Sequence, residues 1–424
     1  MIRFLMKGLL RDPSRSRFPV IMVAVGTFLT VLLYSWMQGV LGDLVRVNAQ
    51  FDTGHVKIMT RAYRRMADQA PNDLALLGVE DLLSELRRAE PGMLWTPRIR
   101  FGGLLDIPDA KGETRTQGPA VGFGVDLLGR TTPEPEILNL KASLVRGRLP
   151  ESPGEILLSD AFARKLEVMP GQDATLIGAT MNGAMAMQNF KVAGTVEFGV
   201  SMMDRGAVIA DIADVQAALD MRDAAGEITG YRPDMIYADR DMAALTAGFN
   251  KRFSRADDEY APVMLSLREQ NGLDELLDLA EMVGLIIVAI FVAAMSIVLW
   301  NAALMNGLRR YGEIGVRLAM GEPKNALVGR MVVESIMIGI AGSILGTAIG
   351  LAASYYLQIK GLDISSMMRN ATMIAAATMR ARVTWISYVL GFMPGLFAPV
   401  LGTLFAGVGI YRRQTSQLFK ELEV

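Results

Sequence analysis

FPVIMVAVGTFLTVLLYSWMQGVL, residues 18–41, decides how this chain folds. It carries no charged side chain and exceeds the ~20 apolar residues needed to cross a bilayer core. Three further runs read the same way: Met282–Leu304, Met331–Leu357 with Glu334 near its start, and Val383–Ile410, interrupted by Pro394 and Pro399. Proline lacks a backbone donor, so the fourth run is expected to kink. Residues 42–280 have ordinary soluble patterning. The expected fold is an α-helical membrane protein with four transmembrane helices and a large α/β domain between the first and second.

The 424 residues are 51% hydrophobic, with a mean hydropathy of +0.30, which is high for a soluble enzyme. A net charge of −1 excludes a global basic field for nucleic acid. The absence of cysteine excludes disulfides, thiolate metal sites and cysteine nucleophiles. One histidine, His55, argues against a histidine-based zinc site. Basic residues cluster before the first run (Arg3, Lys7, Arg11, Arg15, Arg17), between the second and third (Arg309, Arg310, Arg317, Lys324, Arg330) and after the fourth (Arg412, Arg413, Lys420). The positive-inside rule then puts residues 1–17, 305–330 and 411–424 in the cytoplasm, and 42–280 and 358–382 outside. Lys360, Arg369, Arg380 and Arg382 weaken the bias in the shorter outer segment. The first run is too long for a cleavable signal and reads as a retained anchor. MIRFLMKGLLRD (1–12) has the spacing of an amphipathic helix lying on the inner surface.

Within the α/β region, VKIM (56–59), Ala120–Val125 and the first part of 154–178 read as strands. Leu74–Arg88 reads as an amphipathic helix with Leu76, Val79, Leu82, Leu83 and Leu86 on one side. Residues 206–219 read as a strand and a helix capped by Asp211 or Asp214, and Asp241–Phe253 as another helix. Leu267–Leu279 reads as a helical stalk, and the methionine-rich MNGAMAMQN (181–189) as a hairpin loop. Glu134 and Asp257 read as solvated surface carboxylates. No GxSxG, HExxH or paired-carboxylate constellation occurs, so no catalytic residue is expected. Gly342, Gly346 and Gly350 recur every four residues and form a helix face that another helix can approach closely.

RRYGEIGVRLAMGEPKNALVGRMVVES (309–335) is the most specific segment. Glu313 and Arg317 are spaced to pair across one helical turn, and Gly315, Gly321 and Pro323 are expected to interrupt the helix. The segment resembles the intracellular loop of ABC-transporter permeases of the MacB/FtsX/LolC type, whose pattern R-x-x-E-I-G-x-x-R-A-x-G precedes a glutamate-bearing third span. Arg310, Glu313, Ile314, Gly315, Ala319, Gly321 and Glu334 match it, and Arg317 sits one place early. GHVKIM (54–59), VGFGVDLLG (121–129), residues 145–176 and residues 190–219 follow the block order of the lipoprotein-releasing branch. The ending AGVGIYRRQTSQLFKEL lacks the family's closing proline.

The resemblance implies a multi-pass permease of the bacterial inner membrane. It would work by mechanotransmission, with ATP binding by a cytoplasmic ABC ATPase dimer moving the external domains. ATP and Mg would belong to that partner, because no G-x-x-x-x-G-K-[ST] loop occurs here; this chain would hold no cofactor or metal. The coupling residues would be Arg310, Glu313, Ile314, Gly315, Arg317, Ala319, Gly321 and Glu322. Partners would be a second permease copy or a paralogue, a periplasmic lipoprotein carrier or membrane-fusion protein, and membrane lipid. The substrate would be a lipoprotein or another amphiphile. Leu33, Met37, Met282, Val292 and Met295 would line its path between the first and second spans of facing subunits, where Met305 also offers an adaptable thioether. FtsX-like signalling to a cell-envelope enzyme and MacB-like efflux of drugs or peptides are the alternatives.

Overall fold

The computed structural model describes residues 13–109, 111–253, 258–363 and 378–412. The amphipathic segment 1–12, Asp257, most of the outer segment 358–382 and the tail beyond Arg412 lie outside them. The chain divides into two units. One is built from the N-terminal segment to Gly42, Asp278–Leu362 and the residues from Met379; the other is chiefly Asp43–Leu277.

Among the described residues, four helices are long and apolar enough to cross a membrane: Arg17–Thr53, Leu273–Arg309, Lys324–Lys360 and Trp385–Tyr411. The first lies mainly in α1 (Pro13–Asn48), which opens on a proline at a position where its missing N–H costs nothing. The third ends where Gly361 takes a positive φ of 69°. The fourth is broken. A 3₁₀ turn at Trp385–Tyr388 is followed by a π-helical turn at Met393–Phe397 around Pro394, and regular helix resumes at Ala398. Pro394 has no N–H to give its own turn, which accounts for the wider winding there.

Small residues hold the first, third and fourth spans together. A Cβ at Gly342 would lie 2.6 Å from the Val23 side chain, one at Gly346 would strike the Ala24 carbonyl, and one at Gly350 would lie 3.0 Å from Val31. Gly391 and Gly395 of the fourth span close on Thr27, Thr347 and Ser343 in the same way. Backbones this close gain dispersion contacts that lipid cannot replace. The second span differs: only 11% of its apolar window is buried, against 33–44% for the others.

In the other unit the strands are β1 (Val56–Thr60), β2 (Leu94–Pro108), β3 (Thr114–Val125), β4 (Leu144–Gly147), β5 (Glu155–Ser159), β6 (Asp173–Ala179), β7 (Met185–Val196), β8 (Ala207–Asp211), β9 (Glu227–Tyr231) and β10 (Pro262–Ser266). They run in the order β10-β1-β9-β2-β3-β8-β5-β7-β4, and β6 pairs with both β2 and β7. The pairing β2-β3-β8-β5-β7-β6 therefore returns to β2 as a closed ring. Phe101, Leu105, Ile156, Leu158, Phe190 and Val208 fill the core with other apolar side chains.

Several sequence expectations are corrected. The helix expected over Leu74–Arg88 spans Val79–Ala89 (α2), because Gly78 turns the chain with a φ of 66°. Leu76 lies in a short strand before it, and helices α3 (Asp160–Lys165), α4 (Ile212–Ala218) and α5 (Asp239–Phe253) follow along the chain. The methionine-rich loop is shorter than its composition suggests: Met185 and Met187 are exposed residues inside β7, and only about five residues make the turn. The stalk helix starts at Leu273, after positive φ at Asn271 and Gly272.

Glu134 is not a surface carboxylate. It is fully buried and clamps Arg98, with Nε donating to Oε1 at 2.7 Å and Nη2 to Oε2 at 2.9 Å. Thr96 Oγ1 adds a third donor at 2.9 Å. Nearby, Lys57 bridges Asp52 and Glu227 at 2.9 Å each, and Arg100 contacts the same two carboxylates. Burial alone would raise the Asp52 pKa, but Lys57 and Arg100 outweigh it and hold this carboxyl well below the usual range. The network ties the π-helical turn Ala49–Thr53 to β1, β2 and β9.

His55 is 1% exposed and its Nδ1 accepts the Arg232 N–H at 3.1 Å. Burial, opposed by Asp234 and aided by Arg232, pushes its pKa down to about 4. A depressed base favours folding above its unfolded pKa and loses that contribution as the pH falls towards its folded pKa. Between pH ~6.5 and ~4 the unfolded chain gains a proton that the folded chain refuses, removing up to about 3 kcal/mol. Thermal unfolding of the wild type should therefore weaken across that window relative to His55→Gln. A wild-type-minus-variant difference that stays flat with pH contradicts this.

Candidate functional site: the segment between the second and third spans

The second span lies in α6 (Leu273–Arg309), a short helix α7 (Tyr311–Ala319) follows, and the third span is α8 (Lys324–Lys360). One face of α7 is buried: Tyr311 and Ile314 pack with Leu327, Met331 and Ile410. The Tyr311 hydroxyl donates to the Ala406 carbonyl at 2.7 Å, fastening α7 to the fourth span. The turn after α7 needs Gly321, whose φ is 90°.

Charged side chains tie α7 to α8. Arg310 Nη1 donates to Glu334 Oε2 at 2.6 Å and its Nε lies 3.7 Å from Glu313. Arg317 Nη2 donates to Glu313 Oε1 at 2.8 Å, so the groups run Arg317–Glu313–Arg310–Glu334. Glu322, just after the glycine turn, pairs with Arg330 of α8. These groups are half-buried, where each pair stabilises more than on an open surface but its main effect is to fix register.

The sequence-predicted coupling residues therefore divide. Arg310, Glu313, Arg317 and Glu322 are internal ties, and Ile314 and Gly315 are buried. Gly315 does not interrupt the helix; it lies inside α7, and only Gly321 and Pro323 end it. The outward face is Val316, Ala319 and Met320, with Val316 42% and Met320 75% exposed. Val316 and Met320 were not singled out from sequence, although their i, i+4 spacing was a legible signal. An equally apolar opposite face masked it.

The residues expected to line a substrate path do not share one environment. Met282 is exposed, and Leu33, Met37, Val292 and Met295 are half-buried. The Met37 methyl lies 3.3 Å from where a Cβ on Gly284 would stand, so Met37 packs on the second span of its own chain.

Four helices long and apolar enough to cross a membrane, with a short tethered helix between the second and third, are the arrangement of a multi-pass membrane protein. Residues 285–415 match the family described as FtsX-like permease C-terminal. The chain is similar to the macrolide export ATP-binding/permease protein MacB of Rhodopseudomonas palustris (strain HaA2), 33% identical over 122 residues, covering 27% of this chain and 18% of the relative. The MacB of Psychrobacter cryohalolentis is 31% identical over 94 residues, covering 22% and 14%. The matched stretches thus span less than a fifth of those relatives' length. The crystal structure of the periplasmic region of MacB from Actinobacillus actinomycetemcomitans covers 52% of this chain and 92% of its own, at a TM-score of 0.36 and 14% identity. Over residues 285–415 the chain thus resembles FtsX-like permeases, and the relatives it matches are MacB proteins.

Proposed function

We propose that this chain is the permease subunit that couples ATP hydrolysis by a separate cytoplasmic ABC ATPase dimer to movement of its α/β unit on the outer side of the inner membrane. The observation that carries the coupling is the exposed Val316–Ala319–Met320 face on a helix tied to the third span through Arg310 and Glu334. An exposed apolar face of this kind on a fixed helix suits one side of an interface. Both termini are cytoplasmic in this reading, and ATP and Mg bind the partner. A second permease, copy or paralogue, covers the largely unburied second span.

The substrate we propose is an amphiphile with acyl chains, such as a lipoprotein, extracted from the membrane and handed to a periplasmic carrier. The block order resembling lipoprotein-releasing permeases and the uncharged run Val283–Leu304 support it. MacB-like efflux through a membrane-fusion partner is the second reading, favoured because the similar proteins are macrolide export ATP-binding/permease proteins. Photocrosslinkers at Leu33 and Val292 separate the two. Captured lipoprotein, released on adding ATP, supports extraction. Normal lipoprotein sorting with raised macrolide sensitivity in a deletion strain supports efflux and ends the lipoprotein proposal. Orientation is tested separately: a cysteine at Ser152 should react from outside spheroplasts and one at Asn325 should not.

A further inference from the structure

A cavity of about 340 Å³ lies where the start of the first span meets the end of the second, the start of the third and Pro399 and Thr403 of the fourth. None of Leu33, Met37, Met282, Val292 or Met295 lines it; of the residues placed on the proposed substrate path, Met305 alone does. Its volume equals roughly eleven waters at ~30 Å³ each, enough for a segment of one acyl chain and too small for a whole lipid. Phe18, Met22, Leu299 and Ile338 give it apolar walls, and Phe18 and Met305 at its border are exposed.

One part of the lining is charged, by Arg309, Arg310 and Glu334. Arg310 is neutralised by Glu334 at 2.6 Å. Arg309 has no ion-pair partner among the described residues, so the lining keeps one net positive charge. Arg309 is the last residue of the 37-residue helix α6, the position at which a membrane helix meets the headgroup layer. A basic pocket between transmembrane helices at that depth suits an acidic lipid headgroup. We infer that the cavity is a binding site for an anionic glycerophospholipid, with its phosphate on Arg309 and part of one acyl chain against Phe18, Met22, Leu299 and Ile338. A zwitterionic lipid brings its own cation beside the phosphate and gains less from an unpaired guanidinium. The site needs only this chain and does not depend on the identity of the transported substrate.

Native mass spectrometry of the full chain in detergent, with added dioleoylphosphatidylglycerol, dioleoylphosphatidylcholine or soluble glycerol 1-phosphate, tests this. The wild type should retain one phosphatidylglycerol per chain at least ~5-fold above phosphatidylcholine, and no glycerol 1-phosphate. Arg309→Gln should remove the preference and Arg309→Lys should keep most of it, with unchanged thermal unfolding in both. Arg309 is exposed and has no ion-pair partner among the described residues, so neither change should cost folding. Equal retention of the two lipids, retention of glycerol 1-phosphate alone, an Arg309→Gln chain that keeps the preference, or lipid-free dimers that exclude phosphatidylglycerol would each overturn the assignment.

Discussion

On the proposed coupling, Met320→Glu, alone or with Val316→Glu, should strip the partner ATPase from the permease while leaving the permease folded. Both side chains point away from the packing that holds α7, which rests on Tyr311, Ile314 and the Arg310–Glu334 pair. Fully burying a Met or Val side chain in an interface is worth about 1.5–3 kcal/mol. Losing one should weaken binding about 10- to 100-fold, and a buried unpaired carboxylate adds to that. The measurement is titration of the detergent-solubilised permease with its ATPase, alongside thermal unfolding of the permease alone. Glu313→Lys offers a contrast, because it breaks the ties to Arg310 and Arg317 and should lower the stability of the segment as well as binding. Wild-type affinity in the Val316/Met320 double variant would mean that the ATPase docks elsewhere.

The other large effect belongs to the α/β unit. Glu134→Ala leaves the Arg98 guanidinium buried without its counter-charge, and Arg98 is 2% exposed. Removing one partner of a buried pair costs about 3–5 kcal/mol, a large share of the 5–15 kcal/mol that holds a domain together. For a domain of this size that corresponds to a fall in melting temperature of roughly 6–20 °C. Arg98 also donates to the Gln50 carbonyl at 3.1 Å, so its loss of position should loosen the chain just beyond the first span. The double variant Arg98→Met with Glu134→Leu should recover most of the loss, since two apolar side chains carry no unpaired charge. The readout is thermal unfolding of the full chain. A melting point within about 1 °C of wild type for Glu134→Ala would show that water reaches the pair.

Residues 18–41 announced a membrane helix because nothing but lipid solvates such a run cheaply, and the kink of the fourth span followed from Pro394, a local property of the backbone. The Glu313–Arg317 pair was also legible, since i, i+4 spacing is short-range. Glu134 misled because sequence sees a carboxylate between prolines, whereas its burial is decided by Arg98, 36 residues away. The extent of the methionine loop misled because strand pairing with β6, not composition, sets where β7 begins.

By itself, then, the sequence determined what short-range physics governs: four apolar runs, the breaks at proline and glycine, and the helical pairing within the segment from Arg309 to Glu334. The tertiary structure alone decided which face of α7 is outward, that Val316 and Met320 rather than Ile314 and Gly315 are presented, and that Arg309 is left over beside a cavity while Arg310 is consumed by Glu334. An apolar residue in an amphipathic helix can face either a core or a partner at the same spacing. Only the packing of Tyr311 and Ile314 on Leu327, Met331 and Ile410, brought together from three separate helices, breaks that symmetry.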